Sequence, residues 1–232
     1  MKRFECTRFA IDSVAACARP SRVKGLFCLM SALVLLTACA LPDKPTRSLM
    51  YDFGPGALSS APATRQALLP ALAVDDITTA GGALDNMAVL YRLGYADNQR
   101  LRPYSQARWS MPPAQLVRQR LSEQLGQQRT VLNPREGAAL NRSRNVTLPL
   151  RLRIELEEFS QLFTAADASV GLIRLRATLL ELTPGGEKLL GQRRIVVQRP
   201  APSADAAGGV RALTAATDAA IAELDQWLQQ QP

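Results

Sequence analysis

The side chains able to do covalent or acid–base chemistry in this chain are few, and one cysteine stands apart from the rest. Cysteines occur at Cys6, Cys17, Cys28 and Cys39, and histidine does not occur at all. Without imidazole the chain lacks the commonest general base, the usual metal ligand and the standard Ser-His-Asp arrangement. Adjacent carboxylates occur at Asp75-Asp76 and Glu157-Glu158. A pair for general acid–base work needs both groups in one cleft, and neighbours on a regular strand point to opposite faces. Gly81-Gly82 and Gly185-Gly186 are isolated turn glycines, with no phosphate-binding loop between a strand and a helix. These residues predict no catalytic centre, no metal site and no bound cofactor. What remains is the thiol of Cys39, whose surroundings are unlike those of the other three.

Cys39 ends an apolar run, Leu26 to Leu35, through Leu36, Thr37 and Ala38, and that run follows Arg19, Arg22 and Lys24. Basic, then apolar, then small residues is the order of a secretory signal. The stretch Leu36-Thr37-Ala38-Cys39 resembles a bacterial lipobox. That resemblance implies a diacylglycerol on the Cys39 sulfur, cleavage before Cys39, and an acyl chain on the new amino terminus. The alternatives for the run are a transmembrane anchor or a buried helix. Against them, Gly25 to Ala40 is short for a span, and Pro42, Asp43, Lys44 and Pro45 follow it at once. Cleavage would leave Cys39 as the one cysteine of the mature chain, with neither a disulfide framework nor a thiolate metal site. The stretch ahead of Arg22 is long for the basic region of a signal, which leaves the translation start open. The expected organisation is a signal peptide over 1–38, a lipidated tether over 39–47 and an exported domain over 48–232.

The mature chain of 194 residues is long enough for one domain with a proper core. The net charge of +8 falls to +4 once the six basic and two acidic residues ahead of Cys39 are removed. Nearly all of the remaining cations are arginine, with lysine only at Lys44 and Lys188. Arginine favours phosphate and carboxylate partners, although a GC-rich genome explains the same bias. No interleaving of basic and aromatic residues marks a nucleic-acid surface.

The elements follow from periodicity. Strands are predicted at Ser48 to Phe53, ended by Gly54-Pro55-Gly56, and at Leu68 to Ile77, with a loop over Ala57 to Gln66 between them. Asp85 to Tyr95 and Arg100 to Trp109 read as a hairpin turning at Ala96-Asp97-Asn98-Gln99. Pro112-Pro113 opens a helix whose Leu116, Val117, Leu121 and Leu125 share a face, and Gly126 marks its end. Leu148 to Phe159 alternates Leu150, Leu152, Ile154 and Leu156 against Arg151, Arg153, Glu155 and Glu157. Ser169 to Leu182 alternates in the same way, Thr183 to Gly186 is a turn, and Lys188 to Gln198 returns. These three strands predict an antiparallel meander with one face on a core and one, crowded with arginine, toward water. Pro200 to Gly209 reads as a flexible connection. Val210, Leu213, Thr217, Ala220, Ile221, Leu224, Trp227 and Leu228 then have helical spacing. The predicted fold is α+β, a single domain in which an antiparallel curved sheet packs against two amphipathic helices.

The order of these features resembles the ABC-type transport auxiliary lipoprotein family, which includes the lipoprotein of the Pqi intermembrane transport system. The resemblance rests on the lipobox, the strand Tyr51-Asp52-Phe53-Gly54, and the passage Tyr104-Ser105-Gln106-Ala107-Arg108-Trp109-Ser110-Met111-Pro112-Pro113. It extends through the helix beginning Gln115-Leu116-Val117-Arg118, the strand ending Glu157-Glu158-Phe159, and the closing helix. It covers most of residues 48–230, and its fit is poorest over Leu58 to Leu84.

The family resemblance implies a non-catalytic periplasmic domain that works with an ABC permease, its ATPase and a protein carrying MCE domains, in moving hydrophobic molecules between membranes. Ala40 and Leu41 follow Cys39, with no aspartate to signal retention in the inner membrane. The resemblance to sorted lipoproteins thus implies the inner leaflet of the outer membrane, facing the periplasm. The expected role is docking of the MCE assembly. The alternatives are a periplasmic lipid carrier and an outer-membrane β-barrel assembly lipoprotein, and a homo-oligomer is open in each case. Tyr104, Arg108 and Trp109 are the candidate partner contacts, since aromatic and arginine residues dominate interface energetics. The competing reading packs Trp109 into the core and leaves Arg108 as a solvated neighbour.

Overall fold

The computed structural model describes residues 47–56, 69–140 and 148–231, so Cys39, the lipobox and the loop expected over Ala57 to Gln66 lie outside the described residues. Alternating apolar and charged residues build the centre. Strand β7 (Leu150–Phe163) buries Leu152, Ile154 and Leu156, and Arg151, Arg153 and Glu155 reach ion-pair partners on the opposite face. Strand β8 (Ser169–Thr183) buries Ile173, Leu175, Ala177 and Leu179, and β9 (Gly186–Pro200) buries Ile195 and Val197. The three pair antiparallel in chain order, as the pattern predicts.

β7 breaks its own alternation. Leu156 lies opposite Leu175 and Glu158 opposite Arg174, so Glu157 is an extra residue in a β-bulge. Beyond it the core-facing set shifts to Phe159, Gln161 and Phe163. Glu157 and Glu158 consequently reach the same charged face, contrary to the expectation for a regular strand. They serve different partners: Glu157 pairs with Arg174, Arg176 and Arg194, and Glu158 with Arg92 and Ser160.

The other edge of β7 is divided among three strands, all parallel to it. β2 (Leu69–Val74) pairs with Leu150–Leu152, β3 (Thr78–Thr79) with Glu155 and Leu156, and β4 (Ala88–Leu93) with Gln161–Phe163. β6 (Arg129–Leu132) adds to β2, β5 (Asp97–Trp109) runs antiparallel to β4, and β1 (Leu49–Tyr51) lies parallel to the end of β5. Among the described residues the meander is thereby joined to parallel pairings in one open sheet of nine strands.

The hairpin turn lies at Gly94 to Ala96, starting two residues before the expected one and sharing only Ala96 with it, with Asp97, Asn98 and Gln99 already in β5. Their polar types suggested a turn, but they belong to an irregular strand. Between Tyr91 and Leu93 β4 advances two residues while β5 retreats five, from Arg102 to Asp97. Helix α1 (Pro113–Leu125) begins on proline and buries Leu116, Val117, Leu121 and Leu125. The short α2 (Pro134–Leu140) follows β6, and α3 (Ala206–Gln229) closes the chain. α3 starts four residues before Val210, because Asp205 caps it by accepting the Gly208 N–H at 2.7 Å. The connection expected to run to Gly209 is shorter for that reason. α1, α3 and the inner sheet face share one core, and the opposite sheet face carries the ion pairs of Glu155 and Glu157.

Candidate functional site

The passage from Tyr104 to Pro113 joins the end of β5 to α1, and the structure gives each of its marked residues a place. Between Ala88 and Leu90 β4 advances two residues, while β5 passes from Arg108 back to Pro103. Residues 104–107 therefore bulge away from the ladder, which frees backbone carbonyls. The Arg108 guanidinium takes them up: its Nη1 donates to the carbonyls of Tyr104 at 2.6 Å and Ala107 at 2.9 Å. Arg108 braces the bulge and stays half-buried. Charge-assisted bonds of this kind contribute about 1.5–3 kcal/mol.

Trp109 takes the packing role. It is 1% exposed and sits between Phe53, edge-on at 5.7 Å, and Phe159 at 5.6 Å. The Tyr104 hydroxyl donates to Gln161 Oε1 at 2.8 Å, and Gln161 Nε2 donates to Ser169 Oγ at 2.7 Å. Gln161 is fully buried and this chain of bonds satisfies it. Burial, then the neighbouring Tyr91 and Asp205, push the Tyr104 phenol up from its usual range, which keeps it a proton donor to Gln161. Tyr91 stacks beside it at 4.6 Å. Of the three candidate contacts, Tyr104 and Arg108 are part-exposed and Trp109 is not. The family-like passage thus ties β5 to the core as well as marking its surface.

The carboxylates have structural partners. Asp75 bonds Arg151 and Arg153, whereas Asp76 reaches Arg118 at 3.3 Å, so that pair is split. Arg151 and Arg153 also hold Glu187, whose carboxyl is pulled below its ordinary range chiefly by the bond from Arg151. Two further bridges tie α3 to α1 and to β6. Arg120 grips Asp218 through Nε at 2.7 Å and Nη2 at 3.3 Å, and Gln124 adds a bond to the same carboxylate. Arg129 reaches Asp225 at 3.0 Å. Sequence reasoning singled out none of Arg120, Arg129, Asp218 and Asp225, since nothing local pairs residues so distant in the chain.

Two open clefts flank α1. One, of about 950 Å³, is lined by Asp76, Asp85, Met111, Arg118 and Glu123 among others. The other, of about 630 Å³, lies between α1 and α3 over the Arg120–Asp218 bridge. Among the described residues no group of three His, Cys, Asp or Glu side chains converges to hold a metal ion. No helix among them is long and apolar enough to cross a membrane.

A braced β5 motif, helices tied to one another and to the sheet by ion pairs, and one open, charged sheet face make up an α+β domain. The chain belongs to the ABC-type transport auxiliary lipoprotein component family, whose model matches residues 51–224. Among solved structures it is similar to protein XCC0632 from Xanthomonas campestris, with 21% identity, a TM-score of 0.56, and coverage of 72% of this chain and 87% of that one. An uncharacterized protein of known structure is also similar, with 14% identity, a TM-score of 0.53, and coverage of 79% and 99%. At these identities the likeness is one of fold. No curated protein matches the chain.

Proposed function

We propose that this chain is a non-catalytic lipoprotein held in the inner leaflet of the outer membrane, where it docks the MCE-domain assembly of an ABC-type intermembrane lipid transport system. The observation that carries this reading is the family match over residues 51–224. The lipobox at Leu36 to Cys39 supports the anchor, and Ala40 in place of aspartate supports the outer membrane. β1 begins at Leu49, ten residues beyond Cys39, so the connecting chain keeps the domain within about 35 Å of its anchor. Confinement that close to a surface raises the effective concentration of a partner reaching the same membrane, so modest affinity suffices. Several acyl chains would make the attachment stable where one would be marginal. The cleft between α1 and α3 is lined by Arg120, Glu123, Asp218 and Asp225, which favours docking over carriage of a lipid at that place.

The test is a crosslinked pull-down of the full-length lipoprotein from its native membranes. Recovery of an MCE-domain protein with its permease and ATPase is the expected result. Recovery of a β-barrel alone, or of lipid alone, would move the assignment to barrel assembly or lipid carriage. The anchor has a separate test: Cys39→Ala should leave an unprocessed precursor that takes up no labelled palmitate, and incorporation at the wild-type level refutes the lipobox.

A further inference from the structure

β9 is the outermost strand on its side of the sheet. Among the described residues it pairs only with β8, along Val170–Thr183. One edge of a fifteen-residue strand therefore has no neighbouring strand. The N–H and C=O groups of such an edge are a template for another extended chain. Its C-terminal half reads Arg193-Arg194-Ile195-Val196-Val197-Gln198-Arg199. Ile195 and Val197 are buried beneath the sheet, while Val196 is 51% exposed on the open face. A β-branched run favours pairing, and the arginines around it decide with what.

A second copy of this edge is a poor match. Antiparallel pairing of two copies about Val196 would set Arg193, which Glu223 of α3 holds at 3.0 Å, opposite Arg199, carboxylate-free among the described residues, at both ends of the run. Like charges placed directly opposite destabilise a ladder. The positive charge is also in surplus. Arg174, Arg176 and Arg194 converge on the single carboxylate of Glu157 at 3.3, 3.6 and 3.2 Å, with Glu155 as the further partner of Arg176. The Arg194 side chain remains 62% exposed while making that contact. Arg199 bonds the adjacent Gln198 carbonyl at 3.2 Å and has no carboxylate within reach among the described residues.

We infer that the free edge of β9 accepts an extended segment of a partner protein by β-strand addition, with acidic side chains of that segment meeting Arg194 on the open face and Arg199 at the strand's end. Main-chain bonds along the edge supply affinity, and the surplus arginine charge selects an acidic strand over a basic or neutral one. The site is distinct from Tyr104 and Arg108 and does not depend on which transporter the domain serves.

The test places a photo-crosslinking amino acid at position 196 in the full-length protein in its native membranes. The expected adduct maps to an acidic, extended segment of a different protein, and its yield falls about tenfold in Arg199→Glu. Circular dichroism checks that Arg199→Glu retains the fold; should it not, Arg194→Gln supplies the same comparison. An adduct between two copies of this chain, an adduct to lipid alone, no adduct in the folded protein, or a yield indifferent to the arginine changes overturns the inference. The pull-down outcome is independent, because an MCE partner recovered without a β9 adduct would retain the docking role and reject this edge.

Discussion

At Gly171 the backbone of α3 comes very close to the sheet, and replacing this glycine with alanine isolates that contact. A Cβ at this position would lie 2.4 Å from the carbonyl carbon of Ala212, 2.5 Å from the Leu213 nitrogen and 2.7 Å from the Ala212 oxygen. All three are backbone atoms of α3, so no side-chain rotation relieves the overlap. Ordinary contact begins near 3.4 Å, which requires α3 to withdraw from β8 by about 1 Å. A gap of that size forfeits a quarter to a half of the dispersion energy along the seam lined by Leu213, Ala216 and Ala220. Overpacking of this kind costs about 1–3 kcal/mol, which for a domain of this length lowers Tm by about 2–12 °C. Gly171 also pairs with Gln161, the acceptor of the Tyr104 hydroxyl, so the strain reaches the β5 motif. The assay is thermal and urea unfolding followed by tryptophan fluorescence, with Gly185→Ala as control. At Gly185 the added Cβ would meet only the Thr183 hydroxyl, at 3.9 Å. A Gly171→Ala protein that melts with wild type would refute the close-approach argument.

Arg108→Gln should lower stability by about 1.5–3 kcal/mol in urea titrations, since the freed carbonyls of Tyr104 and Ala107 lose their charged donor. Asp225→Ala should cost about 3–5 kcal/mol, because the Arg129 side chain, 7% exposed, keeps its charge and loses its partner; a loss under 1 kcal/mol would contradict the bridge. Asp205→Ala should cost about 1 kcal/mol at neutral pH through loss of the α3 cap, measured by thermal unfolding. The Asp205 carboxyl is held below its ordinary range, first by the Gly208 N–H and then by Ser203, so its contribution is complete above the unfolded pKa of about 4. As pH falls through the lower folded value that contribution disappears, and the two proteins should converge in acid.

Legibility tracked the length and regularity of each pattern. β7, β8 and α3 declare themselves because Leu152, Ile154, Leu156 and the series Leu213, Ala220, Leu224 repeat long enough to exclude the other period. Bulges defeat the same logic. One extra residue at Glu157 reverses which side chains reach the core, and nothing in Glu157-Glu158 announces it. β5 has two such excesses, so Asp97 to Gln99 resembled a turn while lying in a strand. β3 and β6 are too short to show a period, and they exist because β7 and β2 offer them an edge. α2 did leave a signal. Asn133 accepts the N–H groups of Arg135 and Glu136, and Glu136 accepts that of Asn133 at 2.8 Å, a capping box with proline in the first turn. Of the candidate contacts, Trp109 showed its apolar type but not its depth, which depends on Phe53 arriving from the loop after β1 and Phe159 from β7.

The short ladder between β1 and β5 has a mechanical consequence. Any pull on the chain ahead of β1 enters the domain through three residue pairs, Leu49–Ala107, Met50–Arg108 and Tyr51–Trp109. Leu49 and Met50 are 59% and 69% exposed, so little buried surface resists their removal. Phe53, 8% exposed against Trp109, is the first residue set deeply enough to hold. Under load β1 would therefore strip away before Phe53 yields, lengthening the chain ahead of the domain by about 13 Å. Three residues of strand thus act as a slip element, letting the domain give ground before its core is strained.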